Sequence, residues 1–476
     1  MDVKNAFSKA KTELNKFFNG TVYPLIVGAL ILLSHIFGIE FYLNFANVLM
    51  CALAFIVSDS VKPFIPVLCT YVYQFSRETN ISNPSADNFY FGGAKLYVII
   101  ILFCLAILAA AYFFIKRGRK TLEGLRELPL LLSFVILSSA FLLNGAFSGA
   151  WSLGSFGFGA VQVATFFVIF YFFVIGLRDE GGEELAGYLA YVTAIMAFIL
   201  FAETVYLYVS GDLGFENGSV VKDTVYYGWG IWNTAGQQMV MTIPMLFYGV
   251  MKKKNPWVYF ALAILMVLSA TLTLSRNALI FAVLTFAAMA VVCLFYGQVK
   301  KQFRVILPVG VLLLALCVLV FWGKISGMLS DYLERGLSDN GRFDLWGRAI
   351  DAFLEAPIFG KGFFGAYPPE FQDGGIFPWM AHNTVVELLG AMGIFGFGAY
   401  IFYRVCTVRT FVIRPTLTKT LLGVSMLTVI AGSLLDNFLF YYHQMLYYPL
   451  AYAIAYKLSE EQKKKETAEL PEGERM

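Results

Sequence analysis

Stretches of uncharged, apolar residues about as long as the roughly 20 that a helix needs to cross a hydrocarbon layer recur through this chain from Tyr23 almost to its end. In lipid each such stretch must satisfy its own backbone, and an unbroken apolar run does so as a helix. The runs fall at 23–39, 41–57, 63–75, 94–115, 128–147, 156–177, 187–209, 237–251, 257–274, 277–297, 305–323, 384–403, 421–435 and 440–456. Hydrophobic residues make up 59% of the 476 positions and charged ones 14%, where soluble domains carry roughly 25% charged; the mean hydropathy is +0.69. The pattern predicts an all-α polytopic membrane helical bundle of 12 to 14 spans, since 63–75 and 421–435 are short enough to be re-entrant or interfacial.

With an even number of spans both chain ends lie on one side. Placing the N-terminus inside puts about three quarters of the Lys and Arg residues on inside segments, as retention of basic loops on the cytoplasmic face requires. The clusters Lys116, Arg117, Arg119, Lys120 and Lys252, Lys253, Lys254 then face the cytoplasm. The net charge of +3 reflects these scattered topology anchors and indicates no nucleic-acid partner. The first apolar run follows four lysines but leads to no small-residue cleavage site, so it is expected to stay as the first span. The resulting division is a cytoplasmic segment 1–20, a transmembrane bundle 21–323, an external loop 324–382, C-terminal spans 383–456 and a cytoplasmic tail 457–476.

The six cysteines lie in or beside spans with no metal-type spacing and are expected as small core residues. The three histidines, His35, His382 and His443, are too scattered for a metal site. Glu203 is an acid inside an apolar run, the kind of charge a transporter would use.

The external loop is the longest stretch that cannot span. From Arg342 to Ala356 its pattern is helical, with Phe343, Trp346, Ile350, Phe353 and Leu354 on one face and Asp344, Arg348, Asp351 and Glu355 on the other, the arrangement of an amphipathic helix lying along the membrane surface or the bundle top. Asp339-Asn340-Gly341 supplies cap chemistry before it, and Pro357 and Gly360 end it. Arg342 then sits in the first turn, where a cation opposes the helix dipole unless Asp339, Asp344 or a bound anion compensates. The glycines of Gly360-Lys361-Gly362 permit close backbone approach, to a ligand or simply in a flexible connection. His382 stands at the mouth of the next span, and an imidazole there can take a proton from a hydroxyl or serve structurally. Arg276 follows Thr271, Thr273 and Ser275 where two spans almost touch, a depth at which a guanidinium is costly and suggests function.

Three pieces together resemble the O-antigen ligase and O-antigen polymerase superfamily of bacterial membrane glycosyltransferases. They are Thr271-Leu272-Thr273-Leu274-Ser275-Arg276-Asn277-Ala278; Arg342 through Trp346 with Pro357 and Gly360-Lys361-Gly362; and His382-Asn383 followed by Leu388 to Gly396. Trp232-Asn233 also matches a habit of the family. The resemblance implies transfer of a glycan from an undecaprenyl-pyrophosphate carrier to an acceptor hydroxyl at the outer face of the bacterial inner membrane, with inversion and without metal or other cofactor. It implies His382, Arg276 and Arg342 as catalytic residues, and Arg348, Asn383, Trp232, Asn233 and Lys361 as substrate-binding ones. Tyr367, Trp379 and Trp232 are candidate sugar-stacking rings, and Asp436 and His443, flanking a short outer turn, are candidate supports. The partners implied are the carrier-linked glycan, membrane lipids and an acceptor that is a glycan, glycolipid or protein; ligase and polymerase are not separated. A lipid-linked oligosaccharide flippase or other transporter is the rival reading, favoured by the span number but not by the single large loop, which breaks any symmetry between halves.

Overall fold

The computed structural model describes residues 3–70, 73, 93–149, 151–210, 213–216, 219–295, 305, 307–310, 312, 316, 319, 322, 341–366 and 380–469. The described chain is helical: α1 (Val3–Asn19), α2 (Val22–Phe37), α3 (Glu40–Val57), α4 (Phe64–Thr70), α5 (Gly93–Arg117), α6 (Arg119–Arg126), α7 (Leu131–Leu142) and α8 (Leu153–Gly176, one π-turn included), then α9 (Gly182–Val209), α10 (Trp232–Lys252), α11 (Pro256–Leu272), α12 (Arg276–Phe295), α13 (Arg342–Glu355), α14 (Thr384–Val412), α15 (Leu417–Gly432) and α16 (Tyr442–Glu469). A two-residue antiparallel ribbon pairs Phe215–Glu216 with Ser219–Val220.

Five of these helices are long and apolar enough to cross a membrane, in α5, α8, α9, α12 and α14. Two bent pairs, α1 with α2 at 63° and α6 with α7 at 81°, bring the number to seven. The twelve to fourteen expected runs map onto these unevenly. Run 63–75 shrinks to the seven residues of α4, run 421–435 becomes the 16-residue α15, and run 305–323 lies largely outside the described residues. Run 237–251 falls in α10, where every residue from Thr234 to Val250 is buried. That helix packs against α9, α11, α12 and α15 and can carry Gln237 and Gln238 because its neighbours, not lipid, surround it. Cys51, Cys69 and Cys293 are buried as expected, whereas Cys104 faces outward, Cys406 is half-buried and Cys317 lies outside the described residues.

The two ends of the bundle differ in chemistry. One gathers ion pairs: Arg117 and Lys120 with Asp179 at 2.8 and 2.9 Å, Arg178 with Glu127 at 3.0 Å, Lys62 with Glu184 at 2.6 Å and Arg414 with Glu466 at 2.6 Å. The other gathers turns that run from one helix to the next and carry the candidate residues. Helix α14 is broken near this second end at Gly393 (φ 62°, ψ −163°).

That break explains the glycine loop. A helix interrupted mid-course leaves carbonyls and amides without partners, a serious cost away from water. The loop after α13 supplies them. The amides of Lys361 and Gly362 donate to the carbonyls of Gly390 and Ala391 at 2.9 and 2.8 Å, and the amides of Ile394 and Phe395 donate to those of Pro357 and Ile358 at 2.9 and 3.0 Å. Gly360 (φ 67°) lies so near that a Cβ there would stand 2.4 Å from the Ala391 carbonyl carbon. The close approach anticipated for these glycines is therefore to the broken helix.

Candidate active site

Asn233, Ser275, His382 and Asp436 come from four separate helix ends and join in one hydrogen-bonded line. Ser275 Oγ donates to Asn233 Oδ1 at 2.8 Å, Asn233 Nδ2 donates to Asp436 Oδ2 at 3.2 Å, and Asp436 Oδ1 meets His382 Nδ1 at 2.9 Å. Helices α10 and α12 can approach closely enough for the first of these bonds because position 236 is glycine: a Cβ there would sit 2.3 Å from that of Ala278. Leu274, at φ 59°, turns the chain just before Ser275, whose hydroxyl reaches Asn233.

The Asp436 side chain is 1% exposed and that of His382 34%. Burial pushes the Asp436 carboxyl up, but the bond and charge of His382, the Asn437 amide and the charge of Arg342 outweigh it, holding the group below the usual carboxylate range. An ionised carboxylate only accepts, so His382 Nδ1 carries the donated proton and Nε2 is the nitrogen with a free lone pair in the neutral ring. Arg342 thus acts electrostatically on the acid that orients His382.

His382 itself has φ 53°, a left-handed conformation that costs a non-glycine residue of order 1–3 kcal/mol and persists only where its surroundings impose it. They do so on both sides. The Ala381 amide donates to Glu387 Oε2 at 2.7 Å, and its carbonyl accepts from Trp346 Nε1 at 2.8 Å. Beyond His382, the Thr384 amide donates to the Ser433 carbonyl at 2.8 Å and Asn383 Nδ2 to the Leu434 carbonyl at 3.0 Å.

Arg276 and Arg342 are each the first residue of a helix, α12 and α13, and each is half-buried. Both therefore stand where free amides and the helix dipole favour an anion over a cation. Asp339, a proposed partner of Arg342, lies outside the described residues.

The other expected residues divide. Asn233 is inside the line described above. Trp232 starts α10 beside it, with the Lys222 ammonium 5.0 Å from its ring centroid. Asn383 is occupied as the cap of α14, accepting from the amides of Val385 and Val386 at 2.9 and 3.2 Å. Lys361 is ion-paired with Glu355. Arg348 is exposed on α13, six residues and so about 240° around the helix from Arg342. Tyr367, Trp379 and the side chain of His443 lie outside the described residues.

Helix α13 meets its neighbour through small residues. It packs on α14 through Ala349 and Ala352, with the Ala349 carbonyl 2.7 Å from where a Gly390 Cβ would be. Phe343, at 63% exposure, and Leu354, at 66%, face outward. Small residues win because they let the two backbones touch, and the large ones are left to the surrounding medium. Trp346 and Glu387 were not anticipated as holders of the His382 segment. The one signal available was an acid at the first turn of an apolar span.

Among the described residues no group of three His, Cys, Asp or Glu stands together as metal ligands would. No curated protein matches this chain. Residues 261–401 match the family model described as O-Antigen ligase, a segment that includes Ser275, Arg276, Arg342 and His382 but stops short of Asp436. Over that segment the chain is similar to the O-antigen ligase family, and its long apolar helices are those of a membrane protein.

Proposed function

We propose that this protein transfers a glycan from an undecaprenyl-pyrophosphate carrier to the hydroxyl of an acceptor at the outer face of the bacterial inner membrane, as a surface-polysaccharide ligase or polymerase. The observation that carries the reading is the pairing of His382 with the buried Asp436, its Nδ1 engaged at 2.9 Å and the imidazole still a third exposed. Such an imidazole presents Nε2 to whatever enters from the open side.

In the reaction the acceptor oxygen attacks the anomeric carbon and its proton passes to His382 Nε2, the general-base role. The bond from that carbon to the diphosphate oxygen breaks with its electron pair leaving on the carrier diphosphate. Asp436 stabilises the imidazolium that results, and Asn233, bonded to Ser275, keeps Asp436 in place. Arg276 and Arg342 supply fixed positive charge for the growing negative charge of the leaving diphosphate. The attack inverts the anomeric centre, as the family resemblance implies. Trp232, Asn233 and the exposed Arg348 are assigned to glycan or diphosphate contact. Asn383 and Lys361, engaged with the α14 amides and with Glu355, would reach substrate only by exchanging those partners.

The purified protein, reconstituted with carrier-linked glycan and candidate acceptors, tests this directly. A new glycosidic bond, lost on His382→Ala in protein that remains folded, is the expected result. Movement of carrier-linked glycan across the bilayer with no new bond would instead make the protein a flippase.

A further inference from the structure

Glu203 is an acid that the reaction above does not use, buried at the site end of α9 about 9 Å, six residues at 1.5 Å each, from the final residue of that helix, Val209. Ionisable groups so placed in a membrane bundle are costly and point to function. Its Oε2 accepts from Trp229 Nε1 at 2.8 Å, and its Oε1 stands 3.7 Å from His35 Nδ1 on α2. Trp229 is fully buried, its ring 4.9 Å from that of Tyr73 and 5.6 Å from that of Tyr227.

Trp229 lies in a tight turn. Tyr226 and Ile231 pair across it, the Tyr227 amide donates to the Gly230 carbonyl at 3.0 Å, and Gly228 takes φ 84°. The Tyr227 hydroxyl shares a 3.0 Å bond with Thr204, the residue after Glu203. The turn ends on Ile231, and α10 begins at once with Trp232 and Asn233. Asn233 is the link between Ser275 and Asp436.

We infer that Glu203 is a positioning residue for this site: by holding the Trp229 indole it anchors the 226–231 turn and so sets Asn233 between Ser275 and Asp436. The inference rests on the glycosyl-transfer reading for its effect on rate, but not for its effect on the turn. Packing alone would keep the tryptophan buried in several rotamers; the carboxylate selects the one whose Nε1 points at α9. His35, edge-on to Tyr206 at 5.6 Å, closes the other side of the carboxylate.

The test uses the full-length protein. Hydrogen exchange read by mass spectrometry should show the 226–235 segment exchanging at least roughly tenfold faster in Glu203→Ala, with wild-type protection in Glu203→Gln, whose amide oxygen still accepts from the indole. In transfer assays Glu203→Ala and Trp229→Phe should each lower kcat about tenfold with the donor KM little changed, and the double variant should fall no further than the worse single one. Unchanged exchange in Glu203→Ala overturns the inference, as do losses that multiply in the double variant. Should Glu203→Ala not fold, Trp229→Phe decides: wild-type exchange and kcat in that variant also overturn it. Absence of any new glycosidic bond with the wild-type protein would overturn the glycosyl-transfer reading alone, leaving the exchange result to judge Glu203.

Discussion

Trp346 and Ala381 are joined by a 2.8 Å hydrogen bond from the indole nitrogen to the peptide carbonyl, which ties α13 to the residue just before His382. The bond makes the surface helix part of the machinery that imposes a left-handed conformation on the histidine. Trp346→Phe keeps the ring and removes the donor. It should cost about 1–3 kcal/mol, the penalty for leaving a carbonyl unpaired, and lower kcat by tenfold or more while the donor KM stays near its wild-type value. Steady-state transfer kinetics and thermal unfolding in detergent measure the two effects.

Asp436 sets the acid limit of stability. Its folded carboxyl is held below the ordinary value of 3.8 by His382, Asn437 and Arg342, so its contribution is fully present above the unfolded pKa and is lost as pH falls through the folded one. Unfolding temperature should therefore be insensitive to this group between about pH 5 and 8 and decline below about pH 4. Asp436→Asn should remove its share of that decline. It should also lower transfer by a factor of order a hundred or more, because the ring loses the anion that orients it and stabilises its protonated form.

The two arginines should behave as charge-stabilising donors. Arg276→Ala and Arg342→Ala are each expected to reduce kcat by roughly a hundred- to a thousandfold, about 3–4 kcal/mol, and lysine at either position should recover only part because it lacks the bidentate fork. Single-turnover kinetics with carrier-linked glycan separates this loss from weaker donor binding. Wild-type turnover in both alanine variants would remove the arginines from the mechanism.

Glycines at the helix break and on the helix surface should respond in opposite directions. Gly360→Ala places a Cβ 2.4 Å from the backbone of Ala391 at a positive φ and should destabilise by roughly 2 kcal/mol or more. Gly347, within α13, has nothing within 4 Å of a would-be Cβ. Alanine there should stabilise by about 0.5–1 kcal/mol, the ordinary helix-propensity gain. Unfolding midpoints of the two variants against wild type provide the comparison.

The sequence by itself determined the class of structure and singled out the residues with chemistry to offer. Hydropathy dictates helices in lipid, since no other arrangement pairs the backbone of such runs, and the scarcity of charge among them makes Arg276, Arg342, His382 and Glu203 conspicuous. The tertiary structure decided which of those residues meet and through what. Asp436 is 54 positions from His382, and Asn233 is 203 from Asp436; separations of that size carry no periodicity, so only the packing of α10, α12, α14 and α15 brings them within hydrogen-bonding reach. Which runs are enclosed by other helices also escapes hydropathy: α10, buried from Thr234 to Val250, answers to its neighbours. The glycines of 360–362 were visible as a loop, but their purpose depends on a break at Gly393 whose unpaired backbone groups exist only in the folded chain.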